Sequence, residues 1–262
     1  MKVISSKDNE LIKHIRKLKE KKERDISNEY LIEGVKLVDE AIKENASIKK
    51  IILCDDCEKT ESIPKDLMYE IAKFDCVYVT DKIFKLISEV NTPQGVLAII
   101  EKNNIQKEID YKQDIIVALD DVQDPGNLGT ILRTIDSVGL TQVLVSKNTA
   151  DSYNPKVVRS TMGAIFRVKI VECEDLKETL REVKKHKFKV VVTSLQTDNS
   201  IYDIDYNKKV IVIGNEGSGV KKEIQDFADE KIKIPMLGRT ESLNASVATG
   251  VVLYEYVRKK LK

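Results

Sequence analysis

Short runs of valine and isoleucine alternate along the chain with longer segments in which apolar residues recur every three or four positions. The first pattern is typical of buried β-strands, and the second of helices that cover them. In the second half of the chain the predicted strands are 115–119, 142–145, 168–171, 189–193, 210–213 and 232–234, and the predicted helices are 128–138, 155–162, 176–186, 221–228 and 245–258. Such apolar strands, separated by helices, predict a parallel sheet covered on both faces.

The first hundred residues show the same alternation in a shorter form. Strands are predicted at 30–32, 51–54, 77–79 and 95–100, and helices at 34–46, 66–72 and 81–87, the last with Asp81 as its N-cap. Residues 101–114 are polar and lack periodicity, so we expect a linker there. The sequence therefore predicts two α/β domains, a smaller one over residues 1–105 and a larger one over 115–262.

A basic segment opens the smaller domain. Leu11, Ile12, Ile15 and Leu18 recur at helical spacing. The basic residues around them are Lys13, Arg16, Lys17, Lys19, Lys21, Lys22 and Arg24. These residues form either the solvated face of an amphipathic helix or a surface that contacts RNA phosphates. In the second case we expect Lys13, Arg16, Lys17, Lys21 and Arg24 to contribute to RNA binding.

The overall charge of the chain is balanced. The 262 residues include 44 Lys+Arg and 43 Asp+Glu, which gives a net charge of +1. This balance argues against a protein that coats nucleic acid, although a local basic patch remains compatible with it. Apolar residues make up 42% of the chain, enough for a buried core, and exclude a wholly disordered protein.

The sequence also bears on location and metal binding. No run of about 18 apolar residues predicts a transmembrane helix, and the N-terminus lacks the apolar core of a signal peptide. We therefore expect a cytoplasmic protein whose cysteines are thiols. Cys54 and Cys57 have CxxC spacing, but no second pair of ligands completes a zinc site, so no metal is predicted.

Three segments that follow predicted strands carry residues that core packing does not require. The first segment, residues 120–133, has a Pro125-Gly126 turn, then Asn127 as the expected N-cap of a helix, and Arg133 further along that helix. Gly129 lies four residues before Arg133 and so shares its helix face. A turn, a cap and a surface arginine would explain this segment if it stood alone.

The second segment is Gly214-Asn215-Glu216-Gly217-Ser218-Gly219, and it matches neither the GxGxxG fingerprint nor a Walker A loop. The third segment, residues 234–248, has Ser242 and Asn244 at the entry to a helix of small residues. Capping alone could explain one of these two side chains. Because ligands of parallel sheets bind beyond the carboxyl ends of strands, all three segments are placed to form a site.

Taken together, the three segments resemble the three motifs of the SpoU (TrmH) family of RNA ribose 2′-O-methyltransferases, within the SPOUT superfamily. The match lies in residues 127–133, in residues 214–219, and in residues 234–236 through 242–244. The first hundred residues resemble, more diffusely, the substrate-binding domain of many members, which is related in fold to a ribosomal RNA-binding protein. Residues 91–96 are the best match in that half.

The resemblance implies a fold, a cofactor and an assembly. The fold would be an α/β sheet whose C-terminal part is threaded as a trefoil knot. The cofactor would be S-adenosylmethionine, the substrate RNA, and the assembly a homodimer through the C-terminal domain. Carried over by motif position, the cofactor-binding residues would be Leu195, Gly214, Ile234 and Leu243.

The resemblance also assigns catalytic residues. Arg133 matches the catalytic arginine, and the other polar motif positions are Asn127, Glu216, Ser242 and Asn244. Removal of the hydroxyl proton and alignment of the reacting atoms are the main demands of methyl transfer. Whether Arg133 is the base or anchors a phosphate stays open, because a guanidinium is effectively always protonated.

Three functions remain to be weighed. The favoured one is a ribose 2′-O-methyltransferase of RNA, with large-subunit ribosomal RNA preferred over transfer RNA because of the extra N-terminal domain. The second is a catalytically inert RNA-binding or assembly protein on the same fold, against which the intact Arg133, Glu216 and Asn244 argue. The third is a nucleotide-dependent enzyme of another class, which the missing GxGxxG and Walker A motifs disfavour.

Overall fold

The computed structural model describes residues 3–56, 60, 62–102 and 108–261. Internal contacts divide the chain into two units. The first unit comprises Met1–Asn103 together with Tyr153–Phe166, and the second comprises Asn104–Ser152 with Arg167–Lys262. Residues 153–166, which the sequence assigned to the larger domain, thus belong to the unit formed by the N-terminal hundred residues.

The first unit is built on a five-stranded mixed sheet with the strand order β1-β4-β3-β5-β2. The strands are β1 (Val3–Ile4), β2 (Glu29–Glu33), β3 (Ile48–Cys54), β4 (Cys76–Val79) and β5 (Val96–Glu101). Strand β5 runs antiparallel to both of its neighbours, and the remaining pairs are parallel. The pattern predicted β2 to β5, whereas the two residues of β1 are too few to show an alternation.

Six α-helices of the first unit are described. They are Glu10–Lys17, Lys21–Ser27, Val35–Lys43, Lys65–Ile71, Asp81–Ile87 and Pro155–Thr161. The helical spacing near the N-terminus is confirmed, and Ile12, Ile15 and Leu18 are fully buried. The basic segment nevertheless forms two short helices, because the first ends at Leu18 and the second begins only at Lys21.

The prediction that Asp81 is the N-cap of helix Asp81–Ile87 is wrong. Thr80 has the extended backbone of an N-cap residue, and Asp81 lies inside the first turn. There the Asp81 carboxylate contacts the Lys85 ammonium at 2.6 Å, one helical turn further along. An acidic residue is favourable at either position, because it faces the positive end of the helix dipole.

Residues 91–96 have a structural role in the first unit. The Gln94 side chain accepts a hydrogen bond of 3.0 Å from the Val35 backbone N–H, at the start of helix Val35–Lys43. The preceding residue, Gly34, has a φ of +105°, and a side chain there would overlap Gln94. Gln94 therefore replaces an ordinary N-cap side chain, which a glycine lacks.

The second unit contains a fully parallel six-stranded sheet, which confirms the predicted fold class. The strand order is β11-β9-β10-β6-β7-β8. The strands are β6 (Ile115–Asp120), β7 (Gln142–Ser146), β8 (Lys169–Cys173), β9 (Lys189–Thr193), β10 (Lys209–Gly214) and β11 (Glu230–Ile232). Buried Val, Ile and Leu side chains of five of these strands, β6 to β10, pack in one core with helix Leu176–Lys185.

The described α-helices of the second unit are Pro125–Ser137, Leu176–Lys185, Lys222–Gln225 and Ala245–Lys260. Helix Pro125–Ser137 begins three residues before the predicted start, because Pro125 occupies its first turn. Helix Lys222–Gln225 is half the predicted length. Strand β11 ends at Ile232, so Ile234 lies in a loop.

The described residues contain no helix that is both long and apolar enough to cross a membrane. Cys54, Cys76 and Cys173 are free thiols, and Cys57, the other half of the CxxC pair, lies outside the described residues. Within the described part of the chain, no group of three or more His, Cys, Asp or Glu side chains could hold a metal ion.

Candidate active site

A cavity of about 310 Å³ opens at the carboxyl ends of β9, β10 and β11. Strand-end residues Thr193, Gly214 and Ile232 line it, together with residues of the second and third segments. This is the position at which parallel sheets bind ligands. The volume lies at the lower end of the range of small-molecule sites, so it fits one compact cofactor.

All four residues predicted to bind the cofactor line this cavity: Leu195, Gly214, Ile234 and Leu243. Leu195 is 64% exposed and follows β9, whereas Gly214 is buried at the end of β10. Further apolar lining comes from Ile213, Val220, Met236 and Ala248. The cavity therefore has apolar walls that suit the face of an aromatic ring.

Gly214 is required by the protein backbone itself. A Cβ atom at this position would lie 2.1 Å from both Gly219 C and Val220 N. The loop that begins at Gly214 folds back over it, and backbone hydrogen bonds of 3.1 and 3.0 Å join Asn215 and Gly219. A side chain at 214 would push this loop away from β10, whether or not a ligand were bound.

Asn215 holds the second segment in shape, and the motif comparison did not assign it a role. Its Oδ1 accepts hydrogen bonds from the backbone N–H groups of Gly217 and Ser218, at 2.9 and 3.1 Å. Its Nδ2 donates to the Asp121 carbonyl at 2.8 Å. The Asn-Glu-Gly sequence, in which an Asn side chain bonds to its own backbone two residues on, could have signalled this turn.

One hydrogen-bonded chain connects the three segments. Asn244 Nδ2 donates to Asn127 Oδ1 at 2.9 Å, and Asn127 Nδ2 donates to Glu216 Oε1 at 2.8 Å. Each segment contributes one of these side chains. The structure thus brings together three of the five residues predicted to be catalytic, and it makes them partners of one another.

The expected capping pattern is partly wrong. Asp124, not Asn127, caps helix Pro125–Ser137, because its carboxylate accepts the Asn127 backbone N–H at 2.8 Å. Asn127 is thereby released to reach Glu216 and Asn244. At the third segment, Asn244 is the N-cap of helix Ala245–Lys260 and accepts from the Ser246 and Val247 N–H groups.

The Glu216 carboxylate is held ionised by its surroundings. Partial burial favours the neutral acid, but hydrogen bonds from Asn127 and from the backbone N–H groups of Gln123 and Asp124 outweigh this and lower the pKa of Glu216. A carboxylate with these donors and a lowered pKa is a weak base. Glu216 therefore fixes the second segment to the first.

Arg133 and Ser242 lie outside this hydrogen-bonded chain. Arg133 is exposed, and its side chain has no hydrogen bond or ion pair to any residue that the structure describes. It follows Asn127 by six residues, which corresponds to about 9 Å along the helix and about 120° around it. Ser242 lines the cavity and is exposed. The Arg133 guanidinium is available to a ligand.

The basic residues of the first unit differ in availability. Arg24 is only 2% exposed, and its Nη1 donates to the carbonyls of Leu18 and Lys19 at 2.8 and 2.6 Å. It satisfies the end of helix Glu10–Lys17, so its predicted contact with RNA is wrong. Lys13 is paired with Glu10 at 2.8 Å. Within the basic N-terminal segment, the exposed cations without such a partner among the described residues are Arg16, Lys17, Lys21 and Lys22.

A wider hollow, of about 690 Å³, lies elsewhere in the second unit. Its walls carry five carboxylates, Glu108, Glu174, Asp175, Glu178 and Glu182, and no residue of the three segments. Its negative charge opposes a polyanionic substrate. The smaller cavity at the strand ends therefore remains the candidate site.

A parallel sheet with a small cavity at its strand ends, beside three loops that hydrogen bonds join, is typical of α/β proteins that bind a compact ligand at this edge. The chain belongs to the SpoU rRNA Methylase family, whose model matches residues 114–254. The model of an MRM3-like substrate binding domain matches residues 9–98. The resemblance drawn from the three segments is confirmed.

Individual relatives agree with this assignment. The chain is 35% identical to the 23S rRNA (guanosine(2553)-2′-O)-methyltransferase RlmP of Bacillus subtilis, over 97% of this chain and 98% of that protein. It is 37% identical to the 23S rRNA (guanosine-2′-O-)-methyltransferase RlmB of Bordetella pertussis, over 64% of this chain and 71% of that one. A crystal structure of an AdoMet-bound rRNA methyltransferase from Sinorhizobium meliloti is 32% identical, with a TM-score of 0.86 over 100% of this chain and 99% of that one.

Proposed function

We propose that this protein transfers a methyl group from S-adenosylmethionine to a ribose 2′-hydroxyl of large-subunit ribosomal RNA. The observation that carries the proposal is the hydrogen-bonded chain Asn244–Asn127–Glu216, which joins the three segments beside the strand-end cavity. The names of the two curated relatives, both 23S rRNA ribose methyltransferases, support the same reaction. The relative matched over nearly the whole chain makes the ribose of the guanosine equivalent to 2553 the first candidate target.

The lining of the cavity suits S-adenosylmethionine in polarity and charge. Leu195, Ile234 and Leu243 supply apolar surface for the adenine ring, while Glu216 and Glu241 place two carboxylates in the lining. Carboxylates are favourable partners of a positively charged sulfonium. S-adenosylmethionine supplies an activated methyl carbon, so the protein needs to align the hydroxyl and accept its proton.

Arg133 is the residue that we assign to the RNA. Its guanidinium is exposed and has no partner among the described residues, so five N–H donors are available to a phosphate. A phosphate held in this way would fix the neighbouring ribose and its 2′-hydroxyl in line with the methyl group. Among the other predicted catalytic residues, Asn127, Glu216 and Asn244 then hold the three segments together. Ser242 contacts the ligand from the third segment.

Several features of the assembly belong to the same proposal. Val247 and Tyr254 are 51% and 55% exposed on helix Ala245–Lys260, which supports a homodimer through the C-terminal unit. The trefoil knot of the family is part of the same proposal, and it is compatible with the backbone hydrogen bonds that Lys233 forms with Asn199 and Ile201. In the same proposal, residues 1–105 are the RNA-binding domain and residues 115–262 the methyltransferase domain. A ribosomal RNA substrate also agrees with the expected cytoplasmic location.

A methyl-transfer assay tests the proposal. Purified protein and tritiated S-adenosylmethionine are incubated with large-subunit rRNA or with bulk tRNA, both taken from cells that lack the protein. We expect incorporation into the rRNA, at least about a hundredfold less with Arg133→Ala, and little into tRNA. Binding of rRNA without transfer would instead favour the inert RNA-binding protein, and transfer into tRNA alone would reassign the substrate.

A further inference from the structure

Two adjacent carboxylates lie at the end of β6, directly beside the second segment. Asp120 pairs in register with Gly214, the first residue of that segment. The Asp120 side chain is 1% exposed, while Asp121 follows it with a positive φ of 57°. Neither aspartate lines the cavity, and neither is part of the Asn244–Asn127–Glu216 chain. A buried carboxylate is costly unless it is bound, so its contacts indicate its role.

The Asp120 carboxylate holds the chain where it leaves the second segment. Its Oδ2 accepts the Lys221 backbone N–H at 2.7 Å, and its Oδ1 lies 3.4 Å from the Lys221 ammonium. Burial raises the pKa of Asp120 above its ordinary value in spite of these contacts. Burying a carboxylate is unfavourable, and the hydrogen bond from the Lys221 N–H partly offsets that loss of hydration. The Asp120 carboxylate is therefore a fixed attachment point for this N–H.

Asp121 holds the other end of the same loop. Its carbonyl accepts Asn215 Nδ2 at 2.8 Å, and its carboxylate contacts the Lys221 ammonium at 2.8 Å. Ser146 and Asn148 donate to the same carboxylate at 2.6 and 3.2 Å, which fixes its orientation. The loop between Gly214 and Lys221 is therefore fastened at both ends to the end of β6.

We propose that Asp120 is a positioning residue for the cofactor, acting through the Lys221 backbone N–H to hold the loop of residues 214–221 against the cavity. The inference rests on the proposed S-adenosylmethionine-dependent function. The loop contributes seven of its residues, from Gly214 to Val220, to the cavity lining. The two ends of the loop are attached to Asp120 and Asp121. Loss of either attachment would let the lining residues move and would weaken their contacts with the cofactor.

The test compares three substitutions of Asp120 in the full-length protein. Asp120→Leu has a similar size and no acceptor, Asp120→Ser has a hydroxyl too short to replace the carboxylate, and Asp120→Asn keeps an oxygen that can accept the Lys221 N–H. Lys221→Met removes the ammonium but keeps the backbone N–H. Lys222→Met, at the exposed neighbouring lysine, is the matched control.

We expect the dissociation constant for S-adenosylmethionine, measured calorimetrically, to rise about tenfold in Asp120→Leu and Asp120→Ser, the scale of one lost hydrogen bond. Asp120→Asn and Lys222→Met should stay near wild type, and Lys221→Met, which keeps the backbone N–H but loses the ammonium contact with Asp121, should weaken binding less than Asp120→Leu does. In methyl transfer to rRNA, the KM for S-adenosylmethionine should rise in the first two variants, while kcat at saturating cofactor and the KM for RNA stay unchanged. A purely structural role would not produce this split.

Three results would overturn the inference. One is a folded Asp120→Leu or Asp120→Ser variant with wild-type cofactor affinity. Another is an Asp120→Asn variant as weak as Asp120→Leu, because the acceptor would then not matter. The third is a parallel change in kcat and in both KM values. If Asp120→Leu does not fold, Asp120→Ser carries the same test. Wild-type protein that fails to bind S-adenosylmethionine would instead contradict the proposed function.

Discussion

Asn127 is the residue on which the geometry of the site depends most. Its amide is both donor and acceptor, so it bonds to Glu216 on one side and to Asn244 on the other. The sequence indicated the residue but not this role, because capping by Asp124 was not apparent from the spacing. A side-chain network across three loops depends on tertiary contacts, which local sequence patterns do not contain.

Among single residues, Arg133 provides the most direct prediction. Arg133→Ala should lower methyl transfer at least about a hundredfold, the usual effect of removing one preorganised donor. Arg133→Lys should recover little of this loss, because an ammonium does not reproduce the planar guanidinium fork. Since the Arg133 side chain has no hydrogen bond or ion pair to any described residue, calorimetry should show unchanged cofactor affinity. An Arg133→Ala variant with wild-type turnover would exclude the phosphate-anchoring role.

Gly214 provides a second prediction. Its motif position implies contact with the cofactor, whereas the structure shows that the protein backbone itself leaves no room for a side chain there. Gly214→Ala places a methyl group on the Gly219–Val220 backbone. We expect the protein to lose about 1–3 kcal/mol of unfolding free energy from overpacking, together with most of its affinity for S-adenosylmethionine. Thermal melting and calorimetry measure the two effects. Gly238→Ala, at a glycine with open space around it, is the control. Equal behaviour of the two variants would refute this account.

The pKa of Glu216 leads to a prediction about acid conditions. This pKa lies below its ordinary value of 4.5, so the stabilisation from the ionised group is complete above that value and is lost as the pH falls through the lower folded-state pKa. Cofactor affinity should therefore hold through mildly acidic pH and then fall. Calorimetric titrations of the Glu216→Gln variant should give weaker binding, without this acid dependence. The same acid dependence in both proteins would assign it to another group.

Among the elements, regular strands and helices followed from the sequence, while short or irregular ones did not. Six buried strands of Val and Ile predicted the parallel sheet of the second unit, because both of its faces are covered. The predicted bounds of helix Lys222–Gln225 and of β11 differ from the observed ones, because each element is too short for periodicity to define its ends. The break between the two N-terminal helices also escaped prediction, because Leu18 continues the apolar spacing into the turn.

The two basic N-terminal helices lead to a prediction about RNA affinity. Replacing Arg16, Lys17 and Lys21 by Gln removes three exposed cations. The slope of log K against log salt should become shallower by about two to three units, since each phosphate contact on an RNA duplex or single strand contributes about 0.7–0.9. Filter binding at several salt concentrations measures this slope, and cofactor affinity should not change.

Two controls accompany that experiment. Replacing Lys36, Lys65 and Lys82, three exposed lysines of the same unit, changes the net charge equally and should alter the slope far less. Arg24→Ala should instead lower the unfolding free energy by about 3 kcal/mol, because two carbonyls lose a charged donor. If both triple variants behave alike, the N-terminal helices form only a solvated face.

For the molecule as a whole, composition and pattern predicted two α/β parts, but the division of the chain differs from the predicted one at residues 153–166. Tyr153 packs its ring at 4.6 Å from the ring of Tyr30, and helix Pro155–Thr161 follows it. The pattern assigned this helix to the sheet that precedes it in sequence. The surface that a helix covers depends on tertiary contacts, and the periodicity of its own sequence does not determine it.

Truncation tests this division. Deleting residues 1–105 removes Tyr30 and should expose the buried side chains of Tyr153, Val157 and Ile165. We expect the remaining protein to bind S-adenosylmethionine and to form a dimer, but to melt at a lower temperature and to methylate rRNA poorly. Differential scanning fluorimetry and tritium transfer measure these properties. Full activity on rRNA without residues 1–105 would remove the proposed role of the first unit.

We claim that this protein methylates a ribose 2′-hydroxyl of large-subunit rRNA. The decisive experiment maps alkali-resistant linkages in rRNA from cells with the protein, without it, and with the Arg133→Ala variant. We predict one 2′-O-methyl position, at the equivalent of the guanosine named in the relative, that is present only with the wild-type protein. Identical ribose methylation in all three rRNA samples would contradict the claim.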